Sequence, residues 1–312
     1  MIKNEIKEFS ISKEGADLLE NIRKYKLNNF NLKEIYEKGK LKSTREEYEI
    51  SLTKNKENIL KKYKITEKTI RYNGIEVYEY IPEKILSNKI CFHIHGGAFC
   101  LLNANSSFII PVQLSKLCKI KVISIEFGLA PENKYSDMIN NIEKVIKKFI
   151  FDGNLSENIY LIGESSGGSL CISSAYNLMI SNIFIGGIIL LSPWLDLSCN
   201  FISSNFDDDP ILCKNNYLDF ASSLVINNKN DHSLLPFNLK FNHKFPKVII
   251  QFGTKEILYQ QCLKFCDLLK KNNVLIKVEC FNGLWHVFQS YQDIPETLFA
   301  MENIKNFIGV SI

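Results

Sequence analysis

From Glu14 to Lys64 apolar side chains return at intervals of three and four, as in Leu18, Leu19 and Ile22 and again in Ile59, Leu60 and Tyr63. That spacing predicts helices with one buried face. Past Thr69 the interval becomes two: Ile70 and Tyr72 alternate up to Asn73-Gly74, and Ile75 and Val77 alternate beyond it, with Tyr78 and Tyr80 on the opposite face. An Asn-Gly pair between alternating runs predicts a β-hairpin. Short, mostly apolar runs follow, Ile90 to Ile94, Lys121 to Ile125, Ile159 to Ile162, Ile185 to Leu191, Val248 to Phe252 and Ile276 to Cys280. Helical spacing separates them, as in Ile139 to Phe149 and Leu170 to Met179. Runs this short and this rich in Ile and Val read as strands buried on both faces, so the prediction is an α/β core with a mostly parallel sheet flanked by helices. Between Asn200 and Lys244 the pattern gives way to polar, Asn-rich sequence with one helical stretch, Asn215 to Val225. This reads as an insertion between two strands. Ligands bind beyond the carboxyl ends of the strands in such a sheet, where an insertion can form a lid.

Composition narrows the class. With 312 residues, 46% apolar and 23% charged, the chain is a folded globular protein rather than a disordered one, and its length predicts one large core with an appendage. The net charge of +4 is too small for a nucleic-acid footprint, and it is unevenly spread. Residues 1–70 hold 17 basic and 12 acidic side chains, net +5, which leaves 21 and 22 in the other 242. Mixed runs such as Lys33, Glu34, Glu37 and Lys38 predict solvated helix faces there. Met1 to Ser10 has no continuous apolar core of a signal peptide, and Ile183 to Leu191, the longest apolar stretch, is far shorter than the ~20 residues of a membrane span. A cytoplasmic protein is the expectation. The nine cysteines include one close pair, Cys262 and Cys266, without a partner cluster at zinc spacing, so they are read as reduced and buried, and no metal is expected.

Gly163-Glu164-Ser165-Ser166-Gly167-Gly168 contains G-x-S-x-G between an apolar run and a helical one. Ser165 is predicted on a strand-to-helix turn, its oxygen above the sheet near the positive end of the helix; a glycine-rich turn that merely opens a helix has the same local pattern. His93-Ile94-His95-Gly96-Gly97-Ala98-Phe99 continues the run from Ile90. Consecutive glycines after a strand leave N–H groups unobstructed, as oxyanion stabilisation requires, together with the N–H of Ser166. His95 is read as holding this loop through hydrogen bonds. A serine nucleophile needs a base oriented by a third group. Of five histidines, His286 alone follows the last predicted strand, since His93 and His95 belong to the glycine loop and His232 and His243 to the insertion. After the preceding run, Gly253 to Leu258 offers one carboxylate, Glu256, whose alternative role is a first-turn helix acid favoured by the dipole. Ser165, Glu256 and His286 follow the nucleophile, acid, base order of α/β hydrolases.

With these residues in view, the stretch from about Tyr78 to Phe307 resembles the hormone-sensitive lipase family of α/β-hydrolase carboxylesterases. Phe127-Gly128-Leu129-Ala130-Pro131-Glu132 resembles the family's Y-R-L-A-P-E, Gly163 to Gly168 its G-D-S-A-G-G, and Ser192-Pro193-Trp194-Leu195-Asp196-Leu197 its S-P-W-x-D-L. Gly253 to Leu258 resembles G-x-x-D-x-L, and Trp285-His286-Val287-Phe288 the H-x-F ending. Four positions depart from the pattern: Ala98 stands for the third glycine of H-G-G-G, Gly128 for the arginine, Ser166 for alanine and Glu256 for aspartate. None deletes a required functional group.

The resemblance implies an α/β-hydrolase fold with a helical cap, built from residues 1–65 and the insertion at about 200–244, over a catalytic domain of residues 66–312. It implies a serine carboxylesterase for short to medium acyl chains, with Ser165 as nucleophile, His286 as base, Glu256 as acid, an oxyanion hole of Gly97, Ala98 and Ser166 amides shaped by Gly96, and no cofactor. Phe99, Trp194, Tyr259 and Trp285 are candidate walls of an apolar pocket, each equally suited to the core. A small-molecule ester is the expected partner, and a homodimer is one arrangement open to the chain. An amidase, lactonase or deacetylase of a small acylated metabolite stays open beside the esterase. So does a non-catalytic ligand-binding protein on the same scaffold, like the family's plant gibberellin receptors, which lack the histidine that stands here as His286.

Overall fold

The computed structural model describes residues 6–24, 31–201, 209–212, 217–227 and 229–310. The expected helix start at Asn215 and residues 202–208, 213–216 and 228 of the expected insertion lie outside them. In chain order the elements are β1 (Ile6–Phe9), α1 (Lys13–Lys24), α2 (Leu32–Glu37), α3 (Leu41–Thr53), α4 (Lys56–Tyr63), β2 (Ile65–Tyr72), β3 (Ile75–Pro82) and β4 (Ile90–Ile94). Next come α5 (Ile109–Cys118), β5 (Lys121–Ile125), α6 (Tyr135–Phe151), β6 (Ile159–Glu164), α7 (Ser166–Ile180) and β7 (Gly187–Leu191). They are followed by α8 (Tyr217–Val225), α9 (Lys229–Ser233), β8 (Val248–Gly253), α10 (Tyr259–Lys271), β9 (Ile276–Phe281) and α11 (Pro295–Ile308).

The strands form one nine-stranded sheet in the order β1-β9-β8-β7-β6-β4-β5-β3-β2. The β2–β3 hairpin turns at Asn73-Gly74, with Tyr72 opposite Ile75, and β3 pairs antiparallel with β5; every other pairing is parallel. Alternation explains how two layers of helices are held. In β4, Phe92 and Ile94 join the apolar layer under α6, α7 and α10, whereas Cys91 points to the layer under α5 and α11. In β6, Ile159 and Leu161 divide from Tyr160 and Ile162 in the same way. Both faces of the central strands are buried, as a parallel sheet requires. The loops at the carboxyl ends of β4, β6, β7, β8 and β9 therefore meet above one sheet edge.

The N-terminal residues depart from the expected partition. Instead of joining a helical cap over residues 1–65, β1 pairs parallel with β9, Phe9 stacks on Phe281 at 4.8 Å, and Asn282 N donates to Phe9 O at 2.7 Å. Ser12 then donates to Glu296 on α11 through both its N–H and its Oγ, and α1 lies against the same helix. Residues 6–24 thus extend the sheet and its flanking layer. A strand of four residues shows no measurable period, so only its partner reveals it. α2 meets α8, where Tyr36 lies edge-on to Phe220 at 5.7 Å, and α3 and α8 send side chains into a cavity at the strand ends.

Candidate active site

At the end of β6 the chain must reverse into α7 within one residue, and Ser165 makes that turn at φ 51°, ψ −123°. A residue with a Cβ pays a strain cost in this region, and the surroundings hold it there. Ser165 N donates to Leu191 O at 3.0 Å, and Ser165 O accepts from Gly168 N and Trp194 N at 3.0 and 2.8 Å. The turn also needs close approach of helix to strand, since a Cβ on Gly167 would lie 2.1 Å from Ile94 O.

Beyond β9, His286 is brought over the turn. Its Nε2 lies 2.9 Å from Ser165 Oγ and its Nδ1 3.3 Å from Glu256 Oε2. Glu256 stands after β8, its other oxygen accepting from Ser192 Oγ at 2.7 Å and from Gly253 N at 2.6 Å. Ser192 Oγ accepts in turn from Val287 N at 2.9 Å, so one hydroxyl fastens the carboxylate to the backbone that follows the imidazole. Burial alone would lower the His286 pKa; the Glu256 hydrogen bond and charge, with Asp209 and Glu164 adding theirs, outweigh it and raise the imidazole above its ordinary value. The longer side chain at position 256 therefore still reaches the ring. Ser192 carried no role in the sequence beyond its place before Pro193. Ser192→Ala is expected to lower kcat on a p-nitrophenyl ester about tenfold with little change in KM, because it removes one charge-assisted bond worth roughly 1.5–3 kcal/mol; steady-state kinetics checks this.

The loop after β4 faces the same serine. Gly97 takes φ +97°, and Ala98 and Phe99 follow in the left-handed region at 50° and 63°. This path leaves the N–H groups of Gly97, Ala98 and Ser166 without an acceptor among the described residues, and Ser166 N is one of the open donors at the start of α7. The Ser166 hydroxyl, which stands where the family has alanine, accepts from Phe99 N at 3.3 Å and joins loop to helix. His95 Nδ1 donates to Gly96 O at 2.7 Å and its ring stacks on Phe127 at 4.3 Å; burial pulls its pKa down to about 3, so it is a neutral strut. A cation also reaches this region despite glycine at position 128: Arg45 on α3 donates to Cys100 O at 2.7 Å and to Glu132 Oε1 at 2.9 Å.

A cavity of about 360 Å³ opens over Ser165 and His286. Gly96, Gly97 and Ala98 form part of its floor, and Tyr48, Leu52, Leu101, Ile211, Tyr217 and Tyr291 contribute to its mostly apolar walls. The four aromatic candidates from the sequence are not among its walls. Phe99 is fully buried between Trp194 at 5.3 Å and Tyr135 at 5.8 Å, and Trp194 Nε1 donates to Asp196 O. Trp285 packs behind Tyr291 at 5.3 Å, and Tyr259 lies against Phe252 at 5.7 Å. Phe99, Trp194 and Trp285 are fully buried in the core, and Tyr259 is half-buried away from the cavity. Tyr48 and Leu52, four apart on a largely polar α3, were the signal that could have found the wall. Among the described residues no group of three or more His, Cys, Asp or Glu gathers as for a metal ion, and no helix is long and apolar enough to cross a membrane.

Residues 91–290 match the family described as alpha/beta hydrolase fold. The chain is 27% identical over 248 residues to an esterase of Acinetobacter venetianus, across 76% of this chain and 80% of that protein. It is 26% identical over 208 residues to a putative steryl acetyl hydrolase of Schizosaccharomyces pombe, across 57% of this chain and 53% of that one. Among solved structures, an esterase from the bacterial hormone-sensitive lipase family superposes with a TM-score of 0.82 at 18% identity, covering 95% of this chain and 97% of the other.

Proposed function

The chain belongs to the alpha/beta hydrolase family, and on that footing we propose that it is a serine carboxylesterase that works through Ser165, His286 and Glu256. The observation that carries this reading is the 2.9 Å contact between Ser165 Oγ and His286 Nε2 on the floor of an apolar cavity. His286 takes the Ser165 proton as Oγ attacks the ester carbonyl, and Glu256 stabilises the imidazolium that results. Negative charge grows on the former carbonyl oxygen, where the Gly97, Ala98 and Ser166 amides receive it; a single such donor is worth about 3–4 kcal/mol in the transition state. The imidazolium protonates the departing alcohol, leaving an acyl-serine. Water then repeats the sequence with His286 as base, releasing the acid.

The α2, α3 and α8 segments, together with the remainder of the insertion at 200–244, act in this reading as a cap over the catalytic core. Their apolar side chains favour an uncharged acyl or alcohol group of limited size, and a binding-only protein has no need of a base set against a serine. Hydrolysis of p-nitrophenyl esters with acyl chains of two to sixteen carbons is the test. The expected kcat/KM is greatest for short to medium chains and at least about tenfold lower at sixteen carbons, since a methylene is worth roughly 1–3 kcal/mol in a closed pocket. A maximum at sixteen carbons would overturn the size assignment. Absence of hydrolysis at every length, with no labelling by a fluorophosphonate, would overturn the enzyme reading itself.

A further inference from the structure

The insertion holds a second buried carboxylate near the imidazole. Asp209 has no solvent exposure. Its Oδ1 accepts from Ile211 N at 2.9 Å and from Leu212 N at 3.0 Å, and its Oδ2 accepts from Ile257 N at 3.1 Å. Ile211 and Leu212 are walls of the cavity, while Ile257 is the residue after Glu256. One side chain thus joins the wall that would meet substrate to the loop that carries the acid. Buried carboxylates without such donors lose their charge. Here all three hydrogen-bond partners are N–H groups, which satisfy the ionised form.

We propose that Asp209 is a positioning residue, which fixes the Glu256 loop against the cavity wall and adds its negative charge to the field that stabilises protonated His286. This rests on the serine-hydrolase reading above. The ionisable groups that face His286 are Glu256, Asp209 and Glu164, all carboxyls, and each favours the imidazolium. Burial raises the Asp209 carboxyl pKa, and His286 and the three amides oppose that rise. Glu256 is bonded to the ring directly, whereas Asp209 acts on it through space and through the Ile257 backbone.

The sign of the effect follows. Removing a negative charge near an imidazolium lowers the imidazole pKa, so the neutral base survives to lower pH. In Asp209→Asn, NMR titration of the His286 ring is expected to show a midpoint lower by about half a pH unit, and the acid limb of fluorophosphonate labelling of Ser165 is expected to move with it. The plateau rate is expected to fall about tenfold from loss of the Ile257 tie. Asp209→Glu, which keeps the charge, is expected to return the limb to the wild-type position. A loss of plateau rate with an unmoved midpoint and limb would reduce Asp209 to a structural brace and overturn the proposal. If Asp209→Asn does not fold, Asp209→Ser takes its place; failure of both neutral variants to fold would assign the residue to folding and overturn it equally. A wild-type protein that fluorophosphonate never labels would sink the serine-hydrolase reading instead, and the ring titration separates the two failures.

Discussion

Ser165→Ala is expected to lower kcat/KM on a short p-nitrophenyl ester by about a million-fold and to abolish fluorophosphonate labelling, with a Tm within a few degrees of wild type. The loss is that large because the proposed attack runs through the Oγ atom that lies 2.9 Å from His286 Nε2, and the N–H groups of Gly97, Ala98 and Ser166 are proposed to receive the oxyanion which that attack creates. What remains is binding and oxyanion stabilisation, which retain about 10³–10⁴-fold over water in serine hydrolases whose triad is gone. His286→Ala is expected to match it, and the double variant to be no worse than either single one, since the two side chains act as a unit. Initial-rate measurements on the three variants, with enzyme concentration raised to expose residual turnover, check this. A Ser165→Ala protein with wild-type rate would remove the serine from the chemistry.

The second large effect is expected at Gly97. Its φ of +97° is open to glycine and strained for any other residue, and an added Cβ would lie 2.0 Å from Leu101 O and 2.6 Å from Leu101 C. Both neighbours are backbone, so no side-chain rotation relieves the clash. The loop would have to move, and with it the N–H groups of Gly97 and Ala98 and the bonds that Gly97 O accepts from Cys100 N and Leu101 N. Gly97→Ala is therefore expected to lower kcat by about a hundred- to a thousand-fold, the loss seen when a single oxyanion donor goes, and to lower stability by about 2 kcal/mol or more. Gly39 supplies the control: its φ is +67°, and nothing lies within 4 Å of the position a Cβ would take. Gly39→Ala bears the backbone strain without the clash and is expected to keep wild-type activity. Thermal unfolding beside ester kinetics distinguishes the two substitutions, and a Gly97→Ala enzyme with unchanged kcat would move the oxyanion site elsewhere.

Ser165, Glu256 and His286 could be read from the chain because each follows an apolar run long enough to register as a strand, and parallel strands deliver their trailing loops to the same edge. The structure gathers those three residues and the glycine loop at that edge. What escaped has a common physical cause. Phe99, Trp194, Tyr259 and Trp285 were equally suited to pocket wall or core, and a side chain's direction depends on the backbone turn at its own position; Phe99, at a left-handed φ of 63°, packs against Trp194. Arg45 and Asp209 reach the site across 55 and 48 positions, to Cys100 and Ile257, contacts that leave no periodic trace. The exchange of Ala for Ser at position 166 looked neutral, yet its hydroxyl joins the loop to α7.

The parallel pairing of β1 with β9 has a consequence for how the chain matures during synthesis. Ile6 sits opposite Val278, so β1 waits until the chain has been made past that residue before its hydrogen-bonding partner exists. At ribosomal speeds of about 5–20 residues per second, the 272 positions between them take roughly 14–54 s to translate. Through that interval the central sheet can assemble from β2 onward, while β1 is without its partner and its Lys7 and Glu8 discourage premature pairing with other edges. The His286 loop emerges in the same late window, a few residues behind β9. Closing the sheet's edge and bringing His286 over Ser165 are thus nearly simultaneous events, and a nascent chain stalled before β9 would lack the imidazole contact that the proposed mechanism requires.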